Sequence, residues 1–293
     1  MIIEQKSKYF PEELKKIERA PEYIYAEGNI ELLNKKGIAV VGSRNCTQYG
    51  EKMCKNFIKD LTEYQLNIVS GLAKGIDSIS HESCINFNGS TIAVLPGGLN
   101  KIYPKENKRL VQEILEHNGL IISEYEDNVE ACSNNFIRRN LIISTITIGT
   151  LIVEAGYRSG TSITAKYARK QGKSVFCIPS SLENKKGITT NKMIQKGEAK
   201  LVINVNDIIN EYKDIKWEKI KHNNIFNNIE DERNQNISLK EKVYNCLSFE
   251  PIDAEDISDW INEPIKEVNC QLMLLEIQGK IKMVLGGKYI LNE

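Results

Sequence analysis

The stretch FIRRNLIISTITIGTLIVEAGYRSGTSIT, residues 136–164, decides the fold. It reads as an apolar helical segment, then a buried strand at 150–155, then a short Gly/Ser turn that opens a second helix. Helix N-termini present unpaired backbone N–H groups, and small turn residues let a ligand approach the backbone. Arg138, Arg139 and Arg158 bring fixed positive charge to the same neighbourhood. Together these features suit a ligand that carries phosphate.

Working outward, the same strand–helix beat repeats on both sides. GIAVV at 37–41, LNIVS at 66–70, TIAVL at 91–95, LIIS at 120–123, SVFCI at 174–178 and KLVINV at 200–205 are short, β-branched, apolar runs. Such runs mark parallel strands buried on both faces. Helical patterns lie between them, near 75–88, 104–117, 138–146, 162–171 and 189–196. Repeated units of this length need right-handed crossovers, which predicts an α/β, Rossmann-like, doubly wound and mostly parallel sheet. Residues 1–36 form a lead-in with a short helix at 11–19, expected to pack on an edge of the sheet. Residues 37–212 form the main domain. Residues 213–236 are rich in Asn, Lys and Glu and read as a linker. From 237 to 293, three helical patterns and a Gly286-Gly287 hairpin describe a small winged-helix domain. Its third helix carries Lys266 against Glu267 and Glu276, a poor charge balance for gripping DNA.

Sheets of this class bind ligands beyond the carboxyl ends of their strands. Those ends read GSRNCTQYG, SGLAKGID, PGGLNKIYPKEN, SEYEDNVEACSNNFIRRN, EAGYRSGT and PSSLENKKGITTN. The opposite connections, such as FNGS, HNG and KQGK, are short and plain. One edge of the sheet is chemically equipped and the other merely turns the chain.

Composition narrows the ligand. The 39 basic and 39 acidic residues balance, so any polyanion site must be a local patch. The seven cysteines include no CxxC pair, so neither a zinc knuckle nor a disulfide framework is indicated, which fits a reducing cytoplasm. No apolar run has the length of a membrane span, and MIIEQKSKYF lacks a signal-peptide pattern. The turn at Gly42-Ser43-Arg44 lacks the three-glycine dinucleotide fingerprint, and no GxxxxGK[ST] is present. Neither a nicotinamide cofactor nor a P-loop nucleotide is expected, and no metal set is evident. Asp77 and His81 share a helix face and are read as ties between that helix and neighbouring loops. Glu154, ending the fifth strand, has two readings: an acid or base acting on a nucleoside, or an orienting carboxylate for Arg138 or Arg139. The second is favoured, because no other group completes a reaction.

At this point the motifs resemble a known pattern. VVGSR (40–44), SGLAKGIDSISH (70–81), TIAVLPGGLNKIYPKEN (91–107), ISE (122–124), FIRRN (136–140), LIVEA (151–155), SGTSITAKYA (159–168) and GITTNKMIQKGE (187–198) are similar to the DprA/Smf family of DNA-processing proteins. The resemblance implies an extended Rossmann fold, single-stranded DNA binding, loading of the RecA recombinase during natural transformation, homodimers and no catalysis. It implies phosphate-backbone contacts from Arg44, Lys105, Arg138, Arg139 and Asn140, with Ser43 beside Arg44 in the same turn. Phe136 becomes a stacking surface, and Ser159, Gly160 and Thr161 become phosphate donors. Arg44 and Arg139 are expected to form one phosphate clamp, and the dimer to use residues 192–200, where Met193 and Ile194 are adjacent. Three positions depart from the family pattern: Leu141 replaces a basic residue, Ser180 follows Pro179 where glycine is usual, and Ser80 stands for alanine. The runner-up is a nucleotide N-glycosidase, which Pro96-Gly97-Gly98 and Glu154 suggest but which the broken PGGLNKIYP motif opposes. A third reading is a nucleotide sensor without catalysis.

Overall fold

The structure, a computed structural model, describes residues 1–157, 159–219, 238–247 and 251–292. Arg158, His222 and most of the expected linker lie outside the described residues. The chain forms two compact units, Met1–His222 and Asn223–Glu293.

The first unit is a nine-stranded sheet. In chain order its strands are β1 (Ile2–Glu4), β2 (Tyr23–Gly28), β3 (Gly37–Val41), β4 (Asn67–Ser70), β5 (Thr91–Leu95), β6 (Leu120–Ser123), β7 (Gly149–Ile152), β8 (Ser174–Cys177) and β9 (Lys200–Leu201). Their spatial order is β1-β2-β6-β5-β4-β3-β7-β8-β9. The strands from β3 to β9 pair in parallel, while β2 runs antiparallel to β6 and β1 antiparallel to β2. Order reverses between β3 and β7, where the chain ends of the two strands diverge and leave a crevice.

The lead-in therefore supplies two strands to the sheet as well as the short helix α1 (Glu12–Lys15). The last expected strand is cut to two residues, because the chain bends at Val202 and enters α8 (Asn206–Ile209). The crossover helices are α2 (Gln48–Glu63), α3 (Ile76–Asn86), α4 (Lys108–Glu116), α5 (Ser133–Thr145), α6 (Thr161–Lys170) and α7 (Ile188–Gln195).

Alternation along each strand sends side chains to both faces. Ala39, Val41, Val69 and Ile152 pack with Ile142 and Ile143 of α5 and Ala165 and Ala168 of α6. Ile38, Val40, Ile68 and Leu151 pack with Phe57, Ile58 and Leu61 of α2. This two-sided burial is why the strands read as continuous apolar runs.

The second unit has α9 (Leu239–Cys246), α10 (Ala254–Ile261), α11 (Ile265–Ile277) and the hairpin β10 (Ile281–Val284) with β11 (Lys288–Leu291). Gly286 and Gly287 have φ of 89° and 75°, the left-handed values that a tight hairpin turn demands. Val268, Leu272 and Leu275 of α11 meet Val243, Ile257 and Ile281 in a separate core. Helix α11 exposes Met273, Leu274 and Ile277, so its outer face is apolar rather than basic. Among the described residues, no helix is long and apolar enough to cross a membrane, and no cluster of His, Cys, Asp or Glu could hold a metal ion.

Candidate nucleic-acid interface

A cavity of about 470 Å³ opens at the crevice between β3 and β7. Its wall includes Ser43 and Arg44 after β3, Phe136, Arg139 and Asn140 on α5, and Ser159, Gly160 and Thr161 at the start of α6. Eight of the predicted residues thus converge from three separate parts of the chain. Lys105 is exposed on the loop between β5 and α4, outside the cavity lining.

The turn after β3 is fixed from below. Ile76 N donates to Ser43 O at 3.1 Å, and Gly75 adopts φ 75° directly beneath it. A side chain at residue 75 would strike the Ser43 and Arg44 backbone, so only glycine fits the left-handed approach. The start of α6 is tied to the same turn: Ser159 Oγ donates to Thr161 Oγ1 at 3.0 Å, which donates to Gly42 O at 3.2 Å. Asn140 Nδ2 reaches Gly160 O at 3.4 Å. Both hydroxyl protons are already engaged, so Ser159 and Thr161 offer less than free donors. The backbone N–H groups of Ser43, Arg44 and Gly160, by contrast, have no protein acceptor among the described residues.

The two arginines expected to clamp one phosphate are not equivalent. Arg44 is exposed, pairs with no carboxylate among the described residues, and lies 5.5 Å from the centre of the Phe136 ring. Arg139 also lies over that ring, at 5.7 Å, but it is only 4% exposed. Its Nη1 donates to Gly71 O and, at 3.4 Å, to Val94 O, and it stands 4.0 Å from the buried Asp77. Burial pushes the Asp77 carboxyl above its usual range while the Arg139 charge opposes that rise. Burial likewise lowers Arg139, against the pull of Asp77 and with the push of Arg44. Arg139 Nε is buried without a partner. The two expected clamp residues thus line one cavity from unequal positions: Arg44 is exposed and without a carboxylate partner among the described residues, and Arg139 is a buried cation beneath Phe136.

Arg138 turns the other way. It forms a forked pair with Glu124 at 2.7 and 2.9 Å and also donates to Glu18 O and Arg19 O. Its charge is matched by Glu124, and it anchors the lead-in to α5 outside the cavity lining that holds the other expected contacts.

Glu154 takes part in neither arginine's environment, which corrects its favoured reading as their orienting carboxylate. It accepts from Thr47 N at 2.9 Å, Thr47 Oγ1 at 2.6 Å and Asn184 Nδ2 at 3.0 Å, bracing the first turn of α2. Nor does it approach the Pro96-Gly97-Gly98 loop, because β4 and β3 lie between β5 and β7. Three strand spacings separate them, roughly 14 Å. The two glycines serve packing, since a side chain at either would strike the backbone of residues 126–131.

His81 differs from the expected tie. Thr91 Oγ1 donates to Ile68 O at 2.8 Å and so accepts from His81 Nδ1 at 2.6 Å. The ring is pinned at the start of β5, away from the equipped edge. Burial, aided by Arg139, drives its pKa down to about 3, so it is neutral near pH 7. The Asp77–Arg139 pair and the placement of Tyr103 against Phe136, 5.4 Å between ring centres, escaped sequence reasoning. The adjacency of SGLAKGID and FIRRN among the equipped loops was the available signal.

A Rossmann-like α/β protein is the class this fold defines, with a polar cavity at its switch point. The family described as DNA recombination-mediator protein A matches residues 1–213, and the chain belongs to it. It is 34% identical to protein Smf of Escherichia coli over 98% of this chain and 76% of that one. It is 40% identical to the DNA processing protein DprA of Streptococcus pneumoniae over 70% of this chain and 71% of that one. The X-ray structure of the pneumococcal DprA superposes with a TM-score of 0.68 at 38% identity, covering 72% of this chain and 74% of that one. A Helicobacter pylori DprA structure, described for its unique single-stranded DNA binding mode, gives 0.66 at 30% identity, covering 74% and 98%.

Proposed function

We propose that the protein binds single-stranded DNA in the switch-point cavity and delivers it to the RecA recombinase during DNA uptake and recombination in the cytoplasm. The observation that carries this reading is an Arg44 guanidinium without a carboxylate partner, beside open backbone N–H groups of Ser43, Arg44 and Gly160, among the described residues. Arg44 takes a phosphate by two parallel hydrogen bonds, and the N–H groups receive its neighbours. Phe136 presents the bases, Asn140, Ser159 and Thr161 shape the wall, and Lys105 adds a phosphate contact outside the cavity. Arg139 holds Phe136 from below and adds its field to that of Arg44. The recombination-mediator family description and the relatives' DNA-processing names support this reading. The protein acts by binding rather than catalysis, a view favoured by the engaged state of Glu154, Asp77 and His81. Two copies associate through the region around residues 192–200.

Fluorescence anisotropy with single- and double-stranded oligonucleotides at several salt concentrations tests the reading. Single strands bind more tightly, and affinity falls by about 0.7 log unit per log unit of salt for each neutralised phosphate. Equal affinity for duplex and single strand would refute it.

A further inference from the structure

The aromatic wall of the cavity does not end at Phe136. Tyr103, on the loop between β5 and α4, stands 5.4 Å from the Phe136 ring centre at an interplanar angle of 78°. It is 48% exposed and lies just outside the cavity lining. Its mount is rigid. Ile102 packs on the apolar cluster around Leu95 and Leu110, and Pro104 is buried. Asn107 Nδ2 donates to Leu72 O at 2.7 Å and to Ser78 Oγ at 2.8 Å. The Lys74–Glu106 ion pair, 2.8 Å, ties the same loop to the turn after β4. An exposed ring held this firmly loses little entropy when a flat ligand covers it. Lys105 is exposed in the same loop.

We propose that Tyr103 is a second nucleobase subsite: one base stacks on its ring, the neighbouring base occupies the Phe136 side, and Lys105 holds the phosphate. This rests on the single-stranded DNA reading above. The near-perpendicular rings prevent the two bases from staying parallel, so the strand turns sharply between them. A duplex, with its bases locked in a parallel stack, cannot follow that turn. Selectivity for single strands thus arises from the angle between two side chains rather than from charge, which both kinds of DNA satisfy.

The test compares Tyr103→Ala and Tyr103→Phe with the unmodified protein, using oligothymidine and an abasic oligonucleotide of equal length. Tyr103→Ala weakens oligothymidine binding about tenfold and leaves abasic binding unchanged, since stacking contributes only when a base is present. Tyr103→Phe keeps the ring and binds like the unmodified protein. The preference for single strand over duplex shrinks in the alanine variant. Unchanged oligothymidine affinity in Tyr103→Ala, with Arg44→Ala weakened, removes the Tyr103 subsite and leaves the cavity reading standing. Equal losses on abasic and normal strands also remove it, because the ring would then act only through the fold. An unmodified protein that binds neither oligonucleotide removes both.

Discussion

The Arg139 guanidinium occupies the volume that a side chain at Gly71 would need, and it donates to the carbonyl of that same glycine. Two motifs distant in sequence, SGLAKGID and FIRRN, are thus one packing unit. The loop after β4 lacks a side chain there so that an arginine from α5 can enter.

Gly71→Ala is accordingly expected to destabilise the protein by at least about 2 kcal/mol, through overpacking and loss of the buried hydrogen bonds. Urea unfolding of the variant measures this. Combining it with Arg139→Ala should cost less than the two single changes added, because both disrupt the same contact. An unchanged unfolding midpoint for Gly71→Ala would disprove the fit.

The two arginines over Phe136 should separate cleanly by experiment. Arg44→Ala lowers single-stranded DNA affinity and reduces the salt slope by about 0.7, with little change in stability. Arg44→Lys keeps the charge but loses the fork, and also binds more weakly. Arg139→Ala leaves Asp77 buried without its partner and costs about 3–5 kcal/mol of folding free energy. Thermal unfolding beside salt-dependent binding distinguishes them, and identical behaviour of the two alanine variants would contradict the assignment.

Glu154→Gln should lower stability without abolishing any chemistry. The carboxylate accepts three hydrogen bonds, and an amide can accept only at its oxygen, so a loss of about 1–3 kcal/mol is expected. Incubation of the unmodified protein with nucleoside monophosphates should release no free base. Detection of base, lost in Glu154→Gln, would reinstate the N-glycosidase.

Acid stability should carry the signature of His81. Its folded pKa, about 3, lies below the usual value near 6.5, so between those limits the unfolded chain binds the extra proton. Stability contributed by the neutral ring is therefore complete above about pH 6.5 and is lost as pH falls toward 3. Urea midpoints across pH 3–7 should fall more steeply for the unmodified protein than for His81→Gln. Parallel curves would show that His81 does not carry the effect.

The parallel strands were legible because burial on both faces leaves no polar alternation to confuse the reading, as Gly37–Val41 and Thr91–Leu95 illustrate. Strand β2 was not, since YIYAEG lies near the edge and mixes exposed and buried positions. The equipped edge was legible from loop chemistry. Where each arginine of the RR pair points was not. Arg138 and Arg139 are neighbours on a helix and point about 100° apart, so one reaches Glu124 and the other Gly71. Nothing in the string RR says which is which. The partner of Glu154 was equally hidden, because Thr47 meets it through the fold rather than through any local spacing.

The outermost strands of the sheet, Ile2–Glu4 and Lys200–Leu201, span three and two residues. So short a row of free N–H and C=O groups gives an incoming chain almost nothing to zip against. The pairing of two copies proposed above, around residues 192–200, therefore rests on side chains rather than on an extended ladder. Leu201 and Ile203, exposed just beyond that region, are the positions where a single charged replacement tests the proposed pairing. The same truncation leaves each edge of the sheet little backbone for strand-by-strand growth into larger aggregates.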